Sequence, residues 1–182
     1  MLFRSIITAG KFKGLKIEAP NEKITRPTLS KVRMAVFNTL HAMTNFEGKS
    51  FLDMYAGSGI MGLEAYSRGF GEIVEMESDS KVFSVLKKNY SKFERDNIRL
   101  YKGDSLKCVS KLKKIFDVIY IDPPYFSGIY EDSLRAVQDY VSEFVILEHV
   151  TDINIEGFEL IKQKRYGKKK LVSFLKPKKA LI

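Results

Sequence analysis

The residues of this sequence whose types and order point most directly to chemistry are Asp122-Pro123-Pro124-Tyr125. They follow Phe116-Asp117-Val118-Ile119-Tyr120-Ile121, an apolar run of strand length. Two prolines lock the chain just beyond that run, which fixes Asp122 at a strand's carboxyl end. The exocyclic amine of a nucleobase is a poor nucleophile, because its lone pair is delocalised into the ring. A carboxylate and a neighbouring backbone carbonyl can accept its two N–H bonds and draw the nitrogen toward sp³ geometry. Hydrogen bonds to a charged group are worth ~1.5–3 kcal/mol each, so this arrangement orients the amine more than it deprotonates it. Tyr125 can stack on the base and Phe126 can support it. A base inside a helix would have to be flipped out, at a cost that is smaller in a loop. The plainer reading of the same four residues is a rigid turn that ends a strand.

Gly57-Ser58-Gly59-Ile60-Met61-Gly62 matches G-x-G-x-x-G, and Glu77 lies 20 residues beyond Gly57. Glycines let backbone approach a ligand closely, a helix N-terminus offers free N–H groups, and an acid at that distance can accept from two ribose hydroxyls. The pattern predicts an adenosine-containing cofactor; a tight strand–helix turn without a ligand is the alternative. Asp53, four residues before Gly57, bears on which cofactor. A dinucleotide would bring a pyrophosphate that a nearby carboxylate repels. S-adenosylmethionine brings an ammonium and a sulfonium, both positive, so charge favours it. Asp104 either reaches the adenine amino group or caps a helix, and Asp79 reads as a cap. No G-x-x-x-x-G-K-[ST] is present, which argues against a P-loop nucleotidase.

These residues must be held by an alternating series of elements. Ile6–Thr8 and Leu15–Ile17, flanking Gly10 and Gly14, predict a small hairpin. Thr28 is placed to cap a helix with Leu29, Val32, Val36 and Leu40 on one face. From residue 50 onward, strands are predicted at 51–55, 72–77, 98–101, 116–121 and 144–147. Helices are predicted between them, and a last hairpin pairs 158–162 with 170–174. Such alternation specifies an α/β fold, a parallel sheet with helices on both faces. Ligands bind such sheets beyond the strands' carboxyl ends, where strand order switches. Each motif above lies at such an end.

Length and composition bound the remainder. A chain of 182 residues is of single-domain size, and 45% hydrophobic residues exclude a disordered chain. One cysteine, Cys108, excludes an internal disulfide. Cys108 with two distant histidines, His41 and His149, argues against a structural zinc site, and no metal is expected. No apolar run approaches the ~18 residues of a membrane span. Lys11, Lys13 and Lys16 interrupt any signal-peptide core, so a cytoplasmic protein is expected. The net charge of +9 is unevenly distributed. Residues 1–33 hold eight Lys/Arg and two acids, residues 160–182 hold nine and none, and the middle carries 14 against 20 acids. Basic ends around an acidic middle suggest a polyanion gripped at the termini, with Lys11, Lys13, Lys168, Lys169 and Lys170 on phosphates. Phe12 and Tyr166, set among these charges, suit base stacking.

The motifs together resemble a known family. Asp122–Tyr125 with Asp53-Met-Tyr-Ala56-Gly57-Ser58-Gly59 looks like a class I S-adenosylmethionine-dependent N-methyltransferase. Arg4–Gly14, Thr25-Arg26-Pro27-Thr28, Gly62–Ala65, Ser67–Gly69, Glu148-His149 and Tyr166-Gly167 narrow the resemblance to the RsmD family of 16S rRNA guanine-N2 methyltransferases. That resemblance implies a Rossmann-like class I methyltransferase domain with a seven-stranded, mostly parallel sheet and a C-terminal antiparallel hairpin. Residues 48–182 would form this core and residues 1–40 a small RNA-binding hairpin-and-helix extension, within one domain. The first and fourth core strands would lie side by side. The resemblance further implies methylation of guanine 966 of 16S rRNA, free or within a small subunit; a monomer is expected. By motif match, Asp53, Ala56, Gly57, Ser58 and Gly59 would hold the methionyl part, Glu77 the ribose and Asp104 the adenine. Asp122–Tyr125 would bind the target base, and Arg26 and Thr28 would border it. An NAD-dependent oxidoreductase, an inactive RNA-binding relative and a DNA adenine-N6 methyltransferase are the competing readings. Asp53 and the basic ends speak against the first, the intact Asp-Pro-Pro-Tyr against the second, and the lack of a separate target-recognition domain against the third.

Overall fold

The computed structural model describes residues 4–19, 30–93, 96–124 and 128–178. Its centre is a seven-stranded sheet of β3 (Ser50–Asp53), β4 (Glu72–Glu77), β5 (Ile98–Lys102), β6 (Phe116–Ile121), β7 (Val141–His149), β8 (Phe158–Tyr166) and β9 (Lys170–Pro177). The spatial order is β5-β4-β3-β6-β7-β9-β8. The first five of these run parallel, and β9 and β8 return antiparallel. A separate hairpin pairs β1 (Arg4–Ile6) with β2 (Lys16–Glu18).

The helices α1 (Ser30–His41), α2 (Ile60–Ser67), α3 (Ser80–Tyr90), α4 (Ser105–Cys108) and α5 (Ile129–Val137) cover both faces of the sheet. Strand alternation sorts the core into two layers. Phe51, Ile73, Val118, Phe144 and Ile146 point to one face, where they meet Val36, Phe37 and Leu40 of α1, Leu63 of α2 and Leu86 of α3. Leu52, Val74, Ile119, Val145 and Leu147 point to the other, against Leu134 and Val137 of α5. Each such side chain, taken fully out of water, contributes about 1.5–3 kcal/mol. The chain winds outward from β3 through β4 to β5, then returns to place β6 on the other side of β3. Strand order therefore switches between β3 and β6, and ligands bind such sheets beyond the carboxyl ends at that switch.

Several element ends differ from the sequence expectation for physical reasons. The strand expected over 51–55 stops at Asp53, because the Tyr55 N–H turns back to Asp53 Oδ1 (3.1 Å). β7 extends to nine residues, since its ends carry polar side chains that an apolar pattern does not register. The helix expected across Leu106, Val109 and Leu112 is α4 followed by a 3₁₀ turn at Val109–Leu112, ended by Lys113 at φ 47°. Thr28 and Leu29, read as the cap and first apolar residue of α1, lie outside the described residues.

A buried polar cluster fastens the N-terminal hairpin to the core. Glu64 of α2, fully buried, accepts from Thr8 N (2.9 Å), Ala9 N (3.1 Å), Arg33 Nε (3.1 Å) and Arg68 Nε (2.8 Å). Arg33 of α1, also fully buried, donates onward to Ile6 O (2.6 Å). Thr8 and Arg68 add to this cluster, so β1, α1 and α2 share one charge-assisted joint.

Candidate active site

The turn from β3 into α2 is built on left-handed glycines. Gly57 has φ 55°, and Gly59, the N-cap of α2, has φ 81°. The Ala56 N–H donates to Met76 O (2.8 Å), and the Gly59 N–H to Ala56 O (2.8 Å), which ties the loop to the end of β4. Asn89 of α3 donates to Ser58 O (2.8 Å) and clamps the loop from above. A Cβ on Gly62 would collide with the Glu75 carboxylate and the Tyr90 hydroxyl, so only glycine lets α2 lie this close to β4. Open space surrounds the position a Cβ would take at Gly57.

Carboxylates surround this loop. Asp53 is buried at the end of β3 and pairs in register with Glu75 of β4. Burial pushes the Asp53 carboxyl well above its ordinary range, and the charges of Asp122, Glu77 and Glu148 push the same way. Burial likewise lifts Glu75, with Asp53 adding to it; its Oε1 accepts the Tyr90 hydroxyl, while its buried Oε2 has no hydrogen-bond partner among the described residues. Glu77 ends β4. Its two oxygens accept from Gly57 N (3.0 Å) and Asp79 N (2.8 Å), and burial raises it as well. Such a cluster repels a pyrophosphate and attracts a cation. The carboxylate set therefore fits the ammonium and sulfonium of S-adenosylmethionine, and the space over Gly57 fits the close approach of such a group.

Across the switch point, the Met54 N–H donates to Tyr120 O (3.1 Å), so β6 ends beside the glycine loop. The register pairs Tyr120 with Ile146 and Ile121 with Leu147. The next residues are Asp122, just beyond the end of β6, and Glu148, still within β7. Pro123 is buried and Pro124 exposed. Lys170, the first residue of β9, makes an ion pair with Glu148 Oε2 and lies 3.8 Å from Asp122 Oδ2. The Tyr120 hydroxyl donates to Glu148 Oε1. Burial and the charge of Glu148 push the Asp122 carboxyl up to about 7, against the opposing pull of Lys170.

A family model described as "Conserved hypothetical protein 95" matches residues 5–175. The chain is 32% identical over 134 residues to Ribosomal RNA small subunit methyltransferase D of Buchnera aphidicola subsp. Acyrthosiphon pisum, covering 73% of this chain and 69% of that one. It is 30% identical over 172 residues, 88% of each chain, to the protein of the same name from Haemophilus influenzae. The chain belongs to the RsmD family. Its fold is also that of yhhF from Escherichia coli, with a TM-score of 0.83 at 22% identity over 96% of this chain and 98% of that one.

In this RsmD-family protein, Asp53, Ala56, Gly57, Ser58, Gly59, Glu77, Asp104, Asp122, Pro123 and Pro124 all gather at the carboxyl ends of β3 to β6. Asp104 takes the capping geometry: its Oδ1 accepts from Leu106 N (3.0 Å) at the start of α4. Asp79 caps α3 in the same way. Arg26, Thr28, Tyr125 and Phe126 lie outside the described residues. Lys11, Lys13, Lys168 and Lys169 are exposed.

Two sequence readings need correction. Lys170 is turned into the Asp122–Glu148 cluster and not outward toward a phosphate. Phe12, read as suited to base stacking, is engaged within the fold, stacked on Tyr66 (5.6 Å) and edge-on to Phe93 (5.0 Å). Glu148, Tyr120 and Glu75 are site residues to which the sequence alone assigned no role. An acid ending the apolar run 144–147 was the available signal for Glu148, and it acquires meaning only when the register sets it beside Asp122. Among the described residues, no group of three or more His, Cys, Asp or Glu is arranged to hold a metal ion, and no helix is long and apolar enough to cross a membrane.

Proposed function

We propose that this protein methylates the exocyclic N2 amine of a guanine in small-subunit rRNA, position 966 by the family resemblance. The observation that carries this reading is a carboxylate, Asp122, on a proline-locked strand end beside an acid-lined glycine loop, across the switch point from it. S-adenosylmethionine would supply an electrophilic methyl group. Asp53, Ala56, Gly57, Ser58 and Gly59 would hold its methionyl part and Glu77 the ribose hydroxyls. Asp104 would approach the adenine with the oxygen its capping bond leaves over.

The Asp122 carboxylate would accept an N–H of the target amine, and a backbone carbonyl of the following turn the other. Each bond to the charged group contributes ~1.5–3 kcal/mol, enough to aim the lone pair at the donor methyl. A carboxyl whose pKa is near 7 is also suited to carry away the proton the amine loses as the methyl group arrives. Tyr125 and Phe126 would stack on the base, with Arg26 and Thr28 at its border. Residues 1–40 would serve as the RNA-binding extension of the catalytic core. Lys11, Lys13, Lys168 and Lys169 would neutralise phosphates. The protein would work as a monomer in the cytoplasm, without a metal, on rRNA or an assembling small subunit.

Incubation with labelled S-adenosylmethionine and unmethylated small subunits or their rRNA, followed by digestion to nucleosides and mass spectrometry, tests the reading. N2-methylguanosine is the expected product. Cofactor binding with no methyl group on either substrate would overturn the rRNA assignment.

A further inference from the structure

Three strand ends meet at Asp122, and among the described residues Lys170 is the cation set between them. Tyr120 donates to Glu148 Oε1, Lys170 pairs with Glu148 Oε2, and the same ammonium lies 3.8 Å from Asp122 Oδ2. Glu148 is buried, while Lys170 and Asp122 keep 23% and 21% of their side chains exposed, so the pair remains reachable from solvent. A buried carboxylate that already holds a tyrosine hydroxyl and a lysine has little freedom to move, and neither does the ammonium it grips. Lys170 is thus anchored from below by Glu148 and presents its charge to Asp122 from the side.

We propose that Lys170 is a positioning residue for Asp122: clamped by Glu148 and Tyr120, it fixes the orientation of the Asp122 carboxylate and supplies its counter-charge while the target amine is bound. This rests on the function proposed above. Among the described residues, the charged groups facing Asp122 are Glu148 of β7, Lys170 of β9 and Asp53 of β3, with the phenols of Tyr120 on β6 and Tyr166 on β8 beside Glu148. His149, the next residue of β7, points to the other face and bonds Ser173 Oγ (2.8 Å) and Thr151 O (2.7 Å). Glu148 and Lys170 therefore act on Asp122 with opposite signs, and their removal must move its titration in opposite directions.

The test is a carboxyl-carbon NMR titration of the protein alone, paired with the pH dependence of methyl transfer, for wild type, K170M, K170R and E148Q. Removing Lys170 should carry the Asp122 titration, and the acidic limb of turnover, to higher pH by about one pH unit or more. Turnover of K170M then falls about tenfold at acid pH and recovers as pH rises. E148Q should move both to lower pH, and K170R should stay close to wild type. Because K170M strands a buried Glu148 charge, the double variant K170M/E148Q is included, with melting curves for all; its titration should fall between those of the single variants. Shifts of the same sign, or no shift in the NMR titration, would overturn the proposal. An NMR shift with an unmoved turnover profile would remove Lys170 from the reaction and leave the proposed function intact. Wild type that transfers no methyl group at all would bring down the function and this role together, and the NMR arm makes that outcome distinguishable.

Discussion

Asp53→Asn separates binding from stability, because the structure gives that carboxyl opposite effects on the two. Asp53 is buried with one hydrogen bond, from Tyr55 N to Oδ1, which an asparagine oxygen can also accept. On the proposed reading its second oxygen meets a cationic group of the cofactor. Loss of one charge-assisted bond is worth about 1.5–3 kcal/mol. At about 1.4 kcal/mol per tenfold, S-adenosylmethionine should bind roughly 10–150 times more weakly. Stability should move the other way. The folded-state pKa of Asp53 is raised by burial and by its acidic neighbours, so its ionisation opposes folding. At low pH the carboxyl is protonated in both states and has no effect. As pH climbs from the unfolded value toward the raised folded one, the wild type loses stability that Asp53→Asn keeps. Calorimetric titration of cofactor and urea denaturation between pH 4 and 8 read the two effects on one sample. Unchanged cofactor affinity, or a variant less stable than wild type across the neutral range, would refute this reasoning.

Glu64→Gln should destabilise the protein by about 3–5 kcal/mol in urea denaturation, since it leaves a fully buried Arg33 without its counter-charge. Burial alone would raise the Glu64 carboxyl, but the bonds from Thr8 and Arg68 outweigh it and hold it below 4.5. Its stabilisation is therefore present above that pH and lost as pH falls through the lowered value, so wild type should lose stability in acid more steeply than Glu64→Gln; parallel acid profiles would contradict this. Gly59→Ala forces φ 81° on an alanine and drives its Cβ into Leu86 and Tyr90, which should cost about 2–5 kcal/mol. A loss below about 1 kcal/mol would mean that the loop relaxes freely. Replacing Lys168 and Lys169 by alanine should reduce the salt slope of RNA binding by about 1.4, at about 0.7 per phosphate, and an unchanged slope in filter binding would release both residues from phosphate contact.

The sequence reveals most of this fold because its signals are local and agree with one another. Alternating apolar runs, punctuated by glycines and prolines, place five parallel strands within a few residues of their observed ends. The chemistry then falls at those ends because side-chain types such as Asp53 and Asp122 follow apolar runs directly. Less legible were the residues whose role depends on register. Lys168, Lys169 and Lys170 are adjacent in sequence and read as one basic run, yet the first two lie in a turn while the third opens β9 and meets Glu148. Arg33 falls on the α1 stripe with Phe37 and Leu40, at helical spacing, but an arginine in an apolar stripe has no meaning until Glu64 of another helix is set against it. Phe12, between two lysines, looked free to stack until Tyr66 and Phe93 closed on it.

The acidic site and the basic ends follow from one electrostatic requirement. The same carboxylates that suit a cationic cofactor make the centre of the molecule repel an RNA backbone. Residues 34–159 carry 20 acids against 14 basic residues, whereas the ends carry 17 basic residues against two acids. On the proposed reading, phosphates can be held only from the periphery, by exposed lysines such as Lys11, Lys13, Lys168 and Lys169. What enters the centre must then be the uncharged part of the nucleotide. A base swung inward from a backbone gripped outside meets that condition, and a duplex laid across the site does not. The geometry thus favours a loop or unpaired target, where extrusion costs least. Within that acidic centre Lys170 lies between two carboxylates, Glu148 and Asp122, and on the proposed reading Asp122 is the one turned to the base.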